Sequence, residues 1–129
     1  MPVLMDWDNQ EHTAIKVTFD GKWDLSDIHR MINKGVSMLE TVNHKVDAIF
    51  DFTNSSFSPR NLISTIDRME ATHNPNERMV IIVNGNVYVR SILKVGRVLA
   101  PKTFNQLHFV DSLEAAYQLI KQYDKQPTS

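Results

Sequence analysis

The side chains with usable chemistry fall in two groups. The first is Asp51, Thr53, Asn54, Ser55, Ser56 and Ser58, with Asn84, Gly85, Asn86, Asp111 and Ser112. Each cluster follows a short apolar run. If those runs are parallel strands, the polar residues collect beyond their carboxyl ends, where open α/β sheets bind ligands. Beside helix N-termini, such a pocket suits an anionic group or a phosphoserine. The same residue types are also the usual material of turns and caps, and that simpler role is expected for most of them. The second group is Arg90, Lys94 and Arg97, at i, i+4 and i+7, with Lys102 just beyond. This stripe suits an acidic partner or anionic headgroups. A basic stripe opposite an apolar one is more often a solvated face. A membrane anchor also needs a larger charge cluster or an exposed apolar face, so peripheral membrane contact is not the expected mode.

Catalytic patterns are sparse. His12, His29, His44, His73 and His108 lack the spacing of a metal site, and Asp27 and His29 do not share a helix face. No metal and no cofactor are expected. The chain has no cysteine, which excludes thiolate nucleophiles and disulfides. It has four glycines, no nucleophile elbow and no phosphate-binding glycine fingerprint. Asp51 and Asp111, both at strand ends, are the one carboxylate pair the pattern offers to acid–base work. A non-enzyme is therefore expected, with an uncharacterised enzyme as the third-ranked reading.

The elements that position these groups read clearly. Val3, Met5 and Trp7, then Ile15, Val17 and Phe19, alternate with more polar residues as half-buried strands do. Asn9 to His12 connects them as a hairpin, expected at a sheet edge. Asp24 to Ser26 can cap a helix whose apolar stripe is Leu25, Ile28, Ile32, Gly35, Leu39 and Val42. Gly35 on that stripe predicts close approach to the sheet. Val46 to Phe52 is a strand, and Thr53 to Phe57 a polar loop. Ser58-Pro59 is a strong helix start, with Leu62, Ile63, Ile66 and Met69 facing inward. Met79 to Val83 is apolar on both faces, as in a central strand. A third helix runs from about Val87 to Leu99, before Pro101, with Tyr88, Ile92, Val95 and Leu99 as its apolar stripe. Leu107 to Val110 is the last strand, and Asp111 to Glu114 resembles a capping box for the last helix.

The whole is a single α/β domain over residues 1–125, a mixed sheet of about five strands with four helices in the order ββαβαβαβα. Residues 126–129 are expected to fray. Its 129 residues can bury roughly two-thirds of their unfolded surface. Apolar residues at 42% and charged residues at 22% are ordinary for a globular chain. A net charge of −1 recruits no nucleic acid. No run spans a bilayer, and the first residues lack a signal-peptide pattern. With no cysteine, a cytoplasmic location is expected.

The order and three segments resemble the STAS-like fold of anti-sigma-factor antagonists, and more closely its SpoIIAA-like branch, grouped with Sec14-type lipid-binding modules. The segments are Thr13 to Trp23, Ala48 to Thr53 and Phe109 to Ala116. The resemblance implies a non-enzymatic regulatory module that binds a protein, and antagonists of this kind carry a phosphorylated serine in an Asp-Ser pair. Here the corresponding stretch is Ser58-Pro59-Arg60-Asn61, without that pair. Ser58, and after it Ser56, are the positions left for phosphorylation. The alternative implied by the resemblance is a carrier or sensor of a small apolar or amphiphilic ligand. Met31, Met38 and Met69, among six methionines, would then line a cavity between helix and sheet. A homodimer through an edge strand or an apolar helix surface is compatible with the pattern.

Overall fold

A computed structural model describes residues 2–57 and 61–125. Ser58, Pro59 and Arg60 lie outside the described residues, as does the tail from residue 126, so the helix start expected at Ser58-Pro59 and the serine itself are not placed.

The strands are β1 (Val3–Trp7), β2 (Ala14–Lys22), β3 (Val46–Phe57), β4 (Glu77–Val83) and β5 (Gln106–Val110). The helices are α1 (Leu25–Leu39), α2 (Ile66–Ala71), α3 (Val87–Leu99) and α4 (Leu113–Lys125). A 3₁₀ turn, Leu62–Thr65, leads into α2. The five strands stand in chain order in one mixed α/β sheet, with β1 antiparallel to β2 and the other three neighbouring pairs parallel. The hairpin lies at the edge, as its sequence predicts.

Alternation along each strand sorts the core into two layers. Ile15, Val17 and Phe19 of β2, Phe50 and Phe52 of β3, Val80 and Ile82 of β4 and Leu107 of β5 pack toward α1, α2 and α3. Ile49, Met79, Ile81 and Val83 pack on the opposite face against Ala116, Leu113, Tyr117 and Ile120 of α4. β4 is thus covered on both sides, which its continuous apolar run requires.

The helix starts follow capping chemistry. Asp24 accepts from the Asp27 backbone N–H at 3.0 Å, and Asp27 accepts from that of Asp24 at 2.9 Å. This reciprocal box closes the first turn of α1. Asn86 caps α3 by accepting from Val89 N–H at 2.8 Å. In α4 the acceptor is the Ser112 hydroxyl, bonded to Ala115 N–H at 3.0 Å, rather than Asp111. Ser112 immediately precedes Leu113, so it is the residue at the cap position.

Two further expectations are corrected. Thr53 to Ser56 do not form a loop. They continue β3, because Asp20, Gly21 and Lys22 extend β2 beside them and pair with Asn54, Ser55 and Phe57. The second helix is also short: six residues of α2 after one 3₁₀ turn, against fifteen in α1 and thirteen in α3.

Candidate functional site

The polar residues at the carboxyl ends of the strands are mostly committed to the fold. Asp51 is buried and its Oδ1 accepts from Thr53 N–H at 3.0 Å and from Thr53 Oγ1 at 2.5 Å. Thr53 Oγ1 accepts in turn from Asn84 Nδ2 at 2.9 Å. Asn84 adopts a left-handed backbone, φ +55°, which asparagine tolerates better than most residues. Ser55 Oγ accepts from the Trp23 indole N–H at 2.8 Å. Asn86 serves its cap. Asn54 and Ser56 remain exposed on the outer stretch of β3.

A cleft of about 220 Å³ collects Asn84, Gly85, Arg90 and Asp111 between the ends of β4 and β5. The Arg90 guanidinium lies 5.2 Å from the centre of the Phe109 ring that floors it. Asp51 is not part of this cleft, so the expected carboxylate pair with Asp111 does not line one site. Nor does the basic stripe converge there. Arg97 donates to the Leu107 carbonyl at 2.8 Å, and Lys94 points to solvent.

The topology explains the dispersal. A ligand crevice at the carboxyl edge forms where neighbouring strands send their connections to opposite faces. Here the strands advance one place at a time in one direction. Right-handed crossovers then put α1, α2 and α3 on one face. No interior strand pair splits open.

A second, apolar opening lies under the helices. A cavity of about 130 Å³ runs between the sheet and α1, α2 and α3. Phe19, Trp23, Ala48, Phe52, Val80, Ile82, Ile92 and Leu93 are among its walls. Met5, Met31 and Met69 line it, whereas Met38 does not. Met5 escaped the sequence reading because it was only one member of an alternating strand. The cavity's helical walls come mostly from α1, with Ile66 and Met69 of α2 and Val89, Ile92 and Leu93 of α3.

Four lining residues are polar: Thr65, Thr72, Glu77 and Thr103. Their hydroxyls are already used. Thr65 Oγ1 donates to Leu62 O at 2.7 Å, Thr72 Oγ1 to Arg68 O at 2.8 Å and Thr103 Oγ1 to Glu70 Oε1 at 3.0 Å. Glu77 Oε2 accepts from Asn74 N–H at 2.6 Å, with His73 Nδ1 3.0 Å away. Burial pushes the Glu77 carboxyl above its ordinary value, against the pull of the Asn74 N–H and the His73 charge. The walls thus present mainly carbon and sulfur.

Among the described residues no group of three or more His, Asp or Glu is placed to hold a metal ion. No helix there is long and apolar enough to cross a membrane. No family model and no curated protein matches this chain.

Proposed function

We propose that this chain is a non-enzymatic binding domain that takes a small apolar molecule into the cavity beneath α1, α2 and α3. The observation that carries the reading is the cavity itself, about 130 Å³ with apolar walls. Engineered apolar cavities of about 150 Å³ stay dry and bind benzene or xenon, so the volume is of a useful size. Methionine walls adapt to irregular shapes. The threonine hydroxyls are satisfied within the chain, which favours an apolar occupant over one rich in hydrogen-bonding groups. The absence of cysteine fits work in a reducing compartment.

The test uses two apolar probes, benzene and toluene. Wild-type protein should melt at a higher temperature with either. Trp23, buried at 3% exposure on the cavity wall, should report uptake through its own emission. Ala48→Leu fills part of the space and should abolish both responses while the fold persists. Equal responses from wild type and variant, or none from wild type, would remove the reading.

A second reading, a regulatory module that captures a protein, has one observation in its favour. Pairing of β3 with β4 ends at Asp51–Val83, so beyond it β3 has β2 on one side and no paired strand on the other among the described residues. An open edge of this kind accepts an added strand. Ser56→Glu should then weaken partner capture in a pull-down without unfolding the domain. Retention of every partner would count against this second role.

A further inference from the structure

Seven large apolar side chains are exposed among the described residues, and five lie on α3: Val87, Tyr88, Val95, Val98 and Leu99. Val87 and Val98 are 81% and 79% exposed. This is not the inner stripe of the helix, which is Val89, Leu93 and Gly96. At about 100° per residue, the outward half of α3 divides lengthwise. Arg90, Lys94 and Arg97 run along one flank, and the exposed apolar side chains, with Ser91 among them, occupy the rest. Lys102 continues the charge beyond the helix.

The charge is one-sided. Residues 79–110 contain these four cations and no Asp or Glu, in a chain whose net charge is −1. Among the described residues none of the four forms an ion pair. Glu70 accepts from the backbone N–H groups of Lys102 and Thr103, at 3.1 and 2.9 Å, rather than pairing with the Lys102 ammonium. The stripe by itself falls short of a membrane anchor. With an exposed apolar band alongside, both requirements of an interfacial helix are met.

We propose that the outer face of α3 docks on an anionic lipid bilayer. The valines and Leu99 sit at the boundary between headgroups and acyl chains, and Arg90, Lys94, Arg97 and Lys102 lie against lipid phosphates. Charge selects this occupant over a second copy of the chain. An antiparallel twofold pairing across the apolar band would bring the two cationic flanks together, and a parallel one would set each flank against an α3 that carries no carboxylate to offset it. An anionic surface complements charge and apolar band together. The docking stands apart from the cavity reading, and either can fail alone.

The experiment is vesicle flotation with the whole protein, using phosphatidylcholine vesicles with and without phosphatidylglycerol. Wild-type protein should float with the anionic vesicles, stay behind with the neutral ones and be released by salt. Lys94→Gln should weaken binding about fivefold, one surface cation's share. Val98→Ser should weaken it several-fold, and Lys34→Gln on α1 should leave it unchanged. Both α3 positions are exposed, so circular dichroism should show intact folds. Failure to prefer anionic vesicles, or unchanged binding by both α3 variants, overturns the proposal. A dimer that Val98→Ser dissociates, with no vesicle binding, overturns it in favour of self-association.

Discussion

His108 stands in the middle of β5 with its Nε2 buried and, among the described residues, unpartnered. Burial, and then the Arg97 charge, hold its pKa below the ordinary value of 6.5. The unfolded chain therefore takes up this proton at a higher pH than the folded one. Stability from this site is complete above about pH 6.5 and falls as pH drops toward the folded value. His108→Gln cannot take up that proton. Urea titrations at about pH 7.5 and 5.5 should show wild type losing more stability than the variant over that interval. A parallel loss in both would show that His108 does not drive it.

Asp47 is the other residue whose setting decides much. At 1% exposure it accepts from Arg78 Nε at 2.8 Å, Arg78 Nη2 at 2.6 Å and Met79 N–H at 3.1 Å. Arg78 also reaches Asp124 at 2.8 Å and lies 4.6 Å from the Tyr123 ring centre. One guanidinium thus ties the end of α4 to the sheet. Asp47→Asn leaves the arginine without its buried counter-charge and should cost about 2–3 kcal/mol in urea unfolding. None of this was legible in the chain. Asp47, Arg78 and Asp124 are far apart in sequence, and nothing local marks them as partners. By contrast Asp24 could be read as a cap, because capping acts within one turn.

Among the helices, two glycines on inner faces make a useful contrast. A Cβ on Gly35 would meet Met5 Cε at 3.2 Å, the free end of a flexible side chain. A Cβ on Gly96 would meet the Phe104 ring at 3.0 Å and Ile66 Cδ1 at 3.3 Å. Alanine gains up to about 1 kcal/mol of helix propensity at either site. Gly35→Ala should be neutral or stabilising, since methionine can turn aside. Gly96→Ala should lose about 1–2 kcal/mol net, because a packed ring cannot yield without moving its neighbours. Thermal melts of the two variants should move in different directions. The close approach predicted at Gly35 is thus real but soft, and the harder contact lies at Gly96. Periodicity placed α1 and its stripe well, but for α3 it gave the bounds and the wrong face: Tyr88, Val95 and Leu99 are exposed, and Val89, Leu93 and Gly96 face inward. It missed the far end of β3 because Thr53 to Ser56 are loop residues by type. Only their pairing with β2, which pattern does not encode, makes them strand.

For the molecule as a whole, the order ββαβαβαβα was readable because each run is short, apolar and followed by a capped stripe. The sites were not. The rule that gathers polar residues at the carboxyl edge presumes a change of winding direction, and this sheet has none between its parallel strands. The void between the sheet and α1, α2 and α3 is a property of the assembled layer rather than of any motif. It has a mechanical consequence. Internal voids are lost on unfolding, so pressure should denature this protein with a volume decrease on the order of tens of mL/mol. Ala48→Leu should make that decrease smaller and raise the pressure midpoint. An unchanged volume would place the void elsewhere.

The chain-order sheet also bears on how the protein is made. Each strand pairs with the one just synthesised, so the sheet can grow as the polypeptide leaves the ribosome. That convenience leaves a hazardous interval. Once Met79–Val83 has docked on β3, its far edge and one of its faces wait for β5 and α4, which arrive last. During that time the most apolar strand of the protein is an uncapped template for aggregation. A nascent chain stalled before residue 106 would be the form most in need of a chaperone.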